Sequence, residues 1–219
     1  MKHDKLCRQL AVLSGLVLST AVVAQAPTHP NLNAQLLVAA RQGDSAAVES
    51  ALARGASPNS RNRFGKTVLL IAAEKGQQGL AEAMIGAGAD VNLATVEQVT
   101  PLMAASHGGH AGLVQRLLEA GATTDPVDRM RKPAIVYAAG QGRAAVVALL
   151  LDRGVAVDAA YANALTALMW AAGQGHADTV RLLLARGARA ELRDDRGLNA
   201  ADMARQGGHA AVLALLAPP

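Results

Sequence analysis

A period of 33 residues runs through this chain and constrains its fold more than any other feature. Two series of glycines and one series of polar residues keep this interval without a gap. The first series is Gly43, Gly76, Gly109, Gly142, Gly175 and Gly208, the second is Gly55, Gly88, Gly121, Gly154 and Gly187, and the polar series is Asn59, Asn92, Asp125, Asp158 and Glu191. A fixed period of this size is typical of a stacked array of repeats, in which each unit contacts only its neighbours.

Each repeat contains the signals of two short helices followed by a loop. A threonine suited to capping a helix recurs at Thr67, Thr100 and Thr166, and Pro101 suits a first helical turn. Paired alanines follow and allow close helix approach, while the second helix carries large aliphatic residues at helical spacing. A segment of about ten polar, turn-prone residues then leads to the next cap. Asn31 or Asn33 is the predicted cap of the first helix.

The composition agrees with small, closely packed helices. Apolar residues make up 51% of the chain, yet Phe, Trp and Tyr together contribute only 2%. The excess lies in Ala, Leu, Val and Gly, whereas a β-sandwich needs more aromatic and β-branched residues. The sequence therefore predicts an all-α repeat fold.

Residues 1–24 have the layout of a secretory signal peptide. Basic residues precede an apolar run over residues 10–24, which is shorter than the roughly 20 residues that a transmembrane helix needs. We predict cleavage after Ala24, with cleavage after Ala26 and an uncleaved N-terminal anchor as alternatives. The segment 25–30 is then a short linker to the repeats. These features predict an exported, periplasmic protein without stable membrane insertion after cleavage.

Cleavage also changes which chemistry the mature chain can carry. The only cysteine, Cys7, lies in the signal peptide, so the mature chain has no disulfide, thiolate metal site or cysteine nucleophile. Removal of three basic residues and one acidic residue lowers the formal charge from +4 to +2. So small a charge gives no support to nucleic-acid binding.

The recurring elements together resemble ankyrin repeats over residues 31–217. They are the Thr100-Pro101-Leu102 start, the alanine pairs, the Gly109-His110 turn and the Gly121-Ala122 end. The resemblance implies an all-α solenoid of six 33-residue repeats, each with two helices and a β-hairpin loop. The repeat domain spans 31–219, and its repeats span approximately 31–63, 64–96, 97–129, 130–162, 163–195 and 196–219.

One departure from the family concerns the joint between repeats. The family usually has a histidine after the leucine of the helix start, where it links adjacent loops by hydrogen bonds. The residues at this position are Leu37, Leu70, Met103, Val136, Met169 and Asp202. Five of these six residues are apolar, which predicts a more apolar joint between repeats.

The resemblance also implies a binding face for another protein. In the family, loop tips and the exposed side of the first helices line a concave binding surface, and Glu74, Lys75, His107 and Gln141 belong to the same inner surface. The candidate binding residues are Arg63, Phe64, Lys66, Glu97, Arg129, Met130, Arg131, Lys132, Tyr137, Tyr161, Asn163, Leu165, Trp170, Gln174 and Arg196.

Two interpretations of these candidates remain open from the sequence. Exposed Phe64, Met130 and Tyr161 beside arginines have the composition of binding hot spots. Alternatively, the charges are ordinary solvated loop residues and Phe64 tucks beneath its own loop. Tyr137 and Trp170 are either half-exposed anchors or packing residues.

No catalytic motif stands out. His110, His176 and His209 share one position in their repeats, where a structural turn histidine is expected, and residues two repeats apart cannot share a zinc ion at about 2 Å. A surface metal at His107 and His110 is the alternative. The sequence lacks a Gly-x-Ser-x-Gly nucleophile motif. We therefore expect no enzyme activity, no cofactor and no metal.

These observations predict a monomeric protein-binding module that acts in the periplasm. Bacterial periplasmic ankyrin repeat proteins, which this chain resembles, are associated with supporting an exported enzyme, so a scaffold or helper role is the first hypothesis. An immunity-type inhibitor of a toxic effector is the alternative. A metal- or peroxide-related enzyme is a third and weaker hypothesis.

Overall fold

A computed structural model describes residues 30–217, and the predicted signal peptide lies outside them. Twelve α-helices occur within this range, in consecutive pairs separated by short turns. They are α1 (Pro30–Gln42), α2 (Ser45–Ala53), α3 (Val68–Lys75), α4 (Gln78–Gly86), α5 (Pro101–Gly108), α6 (Ala111–Glu119), α7 (Ala134–Gly140), α8 (Ala144–Asp152), α9 (Ala167–Gly173), α10 (Ala177–Ala185), α11 (Ala200–Gln206) and α12 (Ala210–Leu216). A 3₁₀ turn covers Ala162–Ala164. The predicted all-α repeat architecture is confirmed.

The pairs stack on one another in chain order. Each odd-numbered helix packs on the next odd-numbered helix, and from α4 onward each even-numbered helix packs on the next even-numbered one. The alanine pairs Ala72-Ala73, Ala138-Ala139 and Ala171-Ala172 are fully buried between first helices, as their small size predicts. The second helices add Leu117, Leu150 and Leu183, which are also fully buried. One hydrophobic core therefore runs along the array.

The threonine caps lie where the sequence places them. The hydroxyl oxygen of each threonine accepts a hydrogen bond from the backbone amide three residues later in the chain. These bonds measure 3.2 Å at Thr67, 3.3 Å at Thr100 and 3.3 Å at Thr166. The residue three positions after each cap position was predicted to form an apolar joint. It is buried, as expected, at Leu70, Met103, Val136 and Met169.

The first helix begins earlier than predicted. Helix α1 starts at Pro30, so Asn31 and Asn33 lie inside the helix and neither is its cap. Instead, the Asn33 side-chain oxygen accepts a hydrogen bond from the Ser57 amide at 2.9 Å. Asn33 thus fastens the first helix to the loop after α2.

The turn histidines have the structural role that their register predicts. His176 Nε2 lies 3.0 Å from the Gly140 carbonyl oxygen, and His209 Nε2 lies 3.1 Å from the Gly173 carbonyl oxygen. Each ring therefore joins one repeat to the repeat before it. The ring of His176 occupies the space over Gly142, where an added Cβ would come within 2.7 Å of it.

The loops differ from the predicted β-hairpins, because residues 30–217 contain no β-strand. Each loop instead reverses the chain within five residues through at least two backbone hydrogen bonds, one of which joins its first and last residues. The amides of Asn62, Thr95, Asp128, Tyr161 and Asp194 donate to the carbonyl oxygens of Lys66, Val99, Lys132, Leu165 and Leu198, at 2.9–3.2 Å.

One position in every loop adopts a left-handed backbone conformation. Its φ angles are +76° at Gly65, +62° at Gln98, +59° at Arg131, +58° at Ala164 and +79° at Gly197. Glycine adopts this conformation without steric cost, whereas other L-residues are strained there. The three middle loops therefore carry backbone strain that the outer two avoid.

Exchanging glycine and alanine at this position is expected to change stability in opposite directions. Ala164→Gly should raise the free energy of unfolding by about 0.5 kcal/mol, because relief of strain outweighs the added freedom of the unfolded chain. Gly197→Ala should lower it by about 1 kcal/mol through strain alone, since a Cβ there would meet no atom within 4 Å. Urea unfolding followed by circular dichroism measures both changes. Shifts of the same sign would contradict the assignment of strain.

Candidate functional site

Five loop tips and the exposed side of the first helices form one continuous surface, which we call the tip face. Its tips are residues 61–66, 94–99, 127–132, 160–165 and 193–198, and its helices are α3, α5, α7, α9 and α11. Backbone hydrogen bonds join neighbouring tips from Val96 N to Phe64 O, from Arg129 N to Glu97 O and from Asp195 N to Asn163 O, at 3.1–3.2 Å. Adjacent tips are therefore fixed relative to one another at these three joints.

Side chains near the start of four of the five tips fix the shape of those tips. Asn62 Oδ1 accepts hydrogen bonds from the amides of Phe64 and Lys66 at 2.9 and 3.1 Å. Thr95, Asp128 and Asp194 accept the equivalent pairs of bonds in their own tips. Such local caps satisfy the amides of a tight turn and hold it in one conformation.

The fourth tip departs from this arrangement because Tyr161 occupies the capping position. A phenol ring cannot reach the amides two and four residues ahead as a short carboxylate does. The tip forms the 3₁₀ turn instead, and Asn163 takes a left-handed φ of +58°. Tyr161 itself is half-buried against the core, so the prediction of an exposed side chain is wrong for this tip.

Nine of the predicted binding residues are exposed on the tip face. They are Arg63, Phe64, Glu97, Arg129, Met130, Arg131, Asn163, Gln174 and Arg196, whereas Lys66, Lys132, Tyr137, Tyr161, Leu165 and Trp170 are half-buried. Phe64 is 51% exposed and Met130 is 61% exposed. Phe64 therefore does not tuck beneath its own loop, and two large apolar side chains project from the first and third tips of the face.

Tyr137 is held in place by a buried carboxylate. Its hydroxyl donates to Asp128 Oδ2 at 2.6 Å, and Asp128 is only 4% exposed. The His107 ring lies against the Tyr137 ring in an edge-on arrangement, with centroids 5.8 Å apart. Burial, the hydrogen bond to Asp128 and the negative charge of Asp128 all raise the pKa of Tyr137. The Tyr137 hydroxyl therefore remains a protonated donor at neutral pH. The Tyr137 side chain is half-buried and packs against the core.

Replacing Tyr137 by phenylalanine is expected to lower the free energy of unfolding by about 2 kcal/mol, because the buried Asp128 carboxylate loses a donor. Denaturant unfolding measures this loss. Tyr161→Phe is the matched control, since the Tyr161 hydroxyl has no hydrogen bond to any residue in 30–217. An equal loss for both variants would show that the Asp128 contact does not stabilise the fold.

Trp170 lies beside a groove at the far end of the tip face. The Lys132 ammonium sits 4.4 Å from the centroid of its ring, within the range of a cation–π contact. The groove has a volume of about 370 Å³, and Leu165, Gln174, Arg196 and Met203 line it together with Trp170. Met203 was not among the predicted binding residues, although the 33-residue register places it in the same slot as Trp170.

A second groove lies beside the first tip, with a volume of about 740 Å³. We call it the first-tip groove, and its lining residues are Arg41, Asn62, Arg63, Phe64, Lys66, Ile71, Glu74 and Lys75. Sequence reasoning missed Arg41, although it stands one repeat before Glu74 and shares its register. The Arg63 guanidinium lies 4.7 Å from the centroid of the Phe64 ring.

Arg61 lies close to this groove but has a structural role. Its guanidinium donates to the Gly65 carbonyl oxygen at 3.1 Å and also to the Ala94 carbonyl oxygen. It thereby ties the first tip to the second. Arg61 is therefore a poor choice for tests of binding, since its loss would disturb both tips.

In the stretch from residue 30 to residue 217, no three His, Cys, Asp or Glu side chains are grouped so that they could hold a metal ion. Over the same stretch, no helix combines the length and apolar character that crossing a membrane requires.

Comparison with known proteins gives one family. A family model described as ankyrin repeats matches the chain in three overlapping copies, over residues 36–128, 77–161 and 135–219. Together the matched segments cover well over half of the chain and include every tip of the tip face. Among curated proteins, none matches the chain.

Proposed function

This chain belongs to the ankyrin repeat family, whose repeats are protein–protein interaction modules, and we propose that it is a non-enzymatic module that binds one partner protein through its tip face. The observation that carries the proposal is the set of fixed tips that present Phe64 and Met130 beside exposed arginines. Large apolar side chains next to arginine are the composition of binding hot spots. Because the tips are already ordered, binding costs little conformational entropy.

Photo-crosslinking tests the binding face directly. A photoreactive amino acid at Met130, which is 61% exposed on the tip face, is expected to capture one defined partner in cells. The same group at Arg153, which is exposed at the end of α8, is the matched control and should capture none. No capture from Met130, or equal capture from both positions, would contradict binding through the tip face.

We further propose that the partner is an exported protein in the periplasm and that the chain acts as its scaffold or helper. Residues 1–24 support this with the layout of a signal peptide. Residues 1–30 fused to a reporter that is active only outside the cytoplasm should give activity, and deletion of residues 2–24 from the fusion should abolish it. An inactive full fusion would overturn the export proposal.

The captured partner then distinguishes a helper from an inhibitor. A helper is expected to increase the yield or activity of its partner in a mixture of the two purified proteins. An immunity-type inhibitor would instead abolish the activity of a toxic partner. A decrease of partner activity in this assay would therefore replace the helper role with the inhibitor role.

A further inference from the structure

We infer that the first-tip groove binds an acidic segment of the partner protein, an inference that rests on the proposed protein-binding function and specifies its ligand. Four cationic side chains line the groove, Arg41, Arg63, Lys66 and Lys75, whereas Glu74 is its single carboxylate. The groove is therefore strongly positive, although the chain as a whole is only weakly basic. A concave site lined by one sign of charge concentrates the field and attracts ligands of opposite charge.

The contacts within the groove leave three of the four cations for a ligand. Lys66 and Glu74 form an ion pair at 2.6 Å and offset each other's charge. The Lys75 ammonium donates to the Arg41 carbonyl oxygen at 2.6 Å, which fixes its position and leaves two N–H groups. Among residues 30–217, Arg41 and Arg63 have no carboxylate partner. The net excess of positive charge in the groove is thus carried by Arg41, Arg63 and Lys75.

The geometry of Arg63 favours carboxylates. Its guanidinium carbon lies 4.7 Å from the centroid of the Phe64 ring, and the Arg63 side chain is exposed. Guanidinium edges bind carboxylates through two parallel hydrogen bonds. Arg63 is therefore an exposed guanidinium in the lining of the groove, where an Asp or Glu side chain of a partner can reach it.

A mainly apolar cleft that shares Phe64 with the first-tip groove indicates the rest of the ligand. It has a volume of about 430 Å³, and its apolar walls are Phe64, Val96 and Val99, beside Lys66, Glu74, Thr95 and Glu97. Val96 is 47% exposed. A segment that carries acidic residues beside one aliphatic or aromatic side chain would fill the groove and the cleft together.

The same surroundings disfavour a nucleic acid. Glu74 and Glu97 lie along the cleft, and each carboxylate would repel a continuous line of phosphates. A peptide can place neutral residues at those points. The groove beside Trp170 is a weaker candidate for acidic ligands, because Arg196 already pairs with the buried Asp194 at 2.8 Å and Lys132 lies over Trp170.

Selection from a displayed library of random peptides on the purified protein tests this inference. We expect the selected peptides to be rich in Asp and Glu around one apolar residue. Arg41→Glu and Lys75→Glu should each weaken their binding about tenfold or more, whereas Arg153→Glu, an equal charge change outside the groove, should change it by less than about twofold. Binding should also weaken as salt rises, because the contact is between exposed charges.

Several outcomes would overturn the inference. They are selected peptides without acidic enrichment, equal losses for Arg153→Glu, and tighter binding of a single-stranded oligonucleotide than of the selected peptides. An unchanged melting temperature is expected for Arg41→Glu, since the Arg41 side chain is exposed, and a small decrease for Lys75→Glu, since it loses the bond to the Arg41 carbonyl oxygen. A melting temperature that falls in step with affinity would assign these residues to folding instead.

The crosslinking experiment separates this inference from the proposed function. If Met130 captures its partner equally in Arg41→Glu, Lys75→Glu and the unsubstituted protein, the acidic-segment inference is wrong and protein binding stands. If the unsubstituted protein captures nothing, the proposed function fails first.

Discussion

Replacing Leu117 by alanine is expected to lower the free energy of unfolding by about 3 kcal/mol, within the range for a fully buried leucine. Leu117 is 0% exposed. Its helix, α6, packs on α5 within its own repeat and on α4 and α8 in the neighbouring repeats. The cavity left by the substitution would therefore weaken one repeat and both of its interfaces. Urea unfolding followed by circular dichroism measures the loss.

Leu216→Ala is the matched control because Leu216 occupies the same register position in the last helix. Leu216 is only half-buried, and α12 packs on α10 and α11. Its loss should cost about 1 kcal/mol. The stability of a repeat array is close to a sum of repeat and nearest-neighbour interface contributions, so a central defect costs more than a terminal one. A Leu216→Ala variant as unstable as Leu117→Ala would contradict this description.

The helical part of the fold was predictable because its signals are local. Thr100 and Pro101 specify a helix start through their own hydrogen bonds and ring geometry, and Gly109 specifies the turn after the same helix through its left-handed conformation. The turn role of His176 follows from the repeat register, since each repeat places the same carbonyl near it. Repetition of these local signals at one interval predicts the stack.

The side-chain arrangement on the loop tips was less predictable because it depends on contacts between each tip and the helices beside it. The β-hairpin expectation came from family resemblance, and no local pattern shows that five residues close each loop. The Tyr137–Asp128 hydrogen bond and the position of Lys132 over Trp170 depend on how one helix lies beside the preceding loop. Tyr161 shows the same limit, since only the packed tip reveals that its ring faces the core.

The first-tip groove illustrates what the register could still have predicted. Arg41 and Glu74 are 33 residues apart, as are Trp170 and Met203, so their shared positions could be read from the sequence. The ion pair between Lys66 and Glu74 could not be predicted in this way, because it depends on how the Lys66 side chain of the tip extends to Glu74 on α3. The distribution of available charge in the groove therefore required the structure.

Charge reversal at three tip arginines is expected to weaken partner binding about a hundredfold. The triple variant carries Arg63→Glu, Arg129→Glu and Arg131→Glu. Each substitution should cost about 1 kcal/mol of binding free energy if the tips contact the partner. The melting temperature should change little, because all three side chains are exposed and the Arg129–Glu97 pair, at 3.4 Å, is a surface ion pair. Titration of the partner captured through Met130 measures the affinity.

A second triple variant controls for net charge. Arg116→Glu, Arg153→Glu and Arg181→Glu make the same charge change at three positions on or beside the second helices, and Arg181 also has a surface ion-pair partner, Asp178. This variant should bind the partner within about threefold of the unsubstituted protein, since long-range attraction alone is screened beyond roughly 8 Å at physiological salt. Equal losses in the two triple variants would mean that overall charge, rather than the tip face, determines binding. A loss confined to the tip variant would assign the contact to Arg63, Arg129 and Arg131.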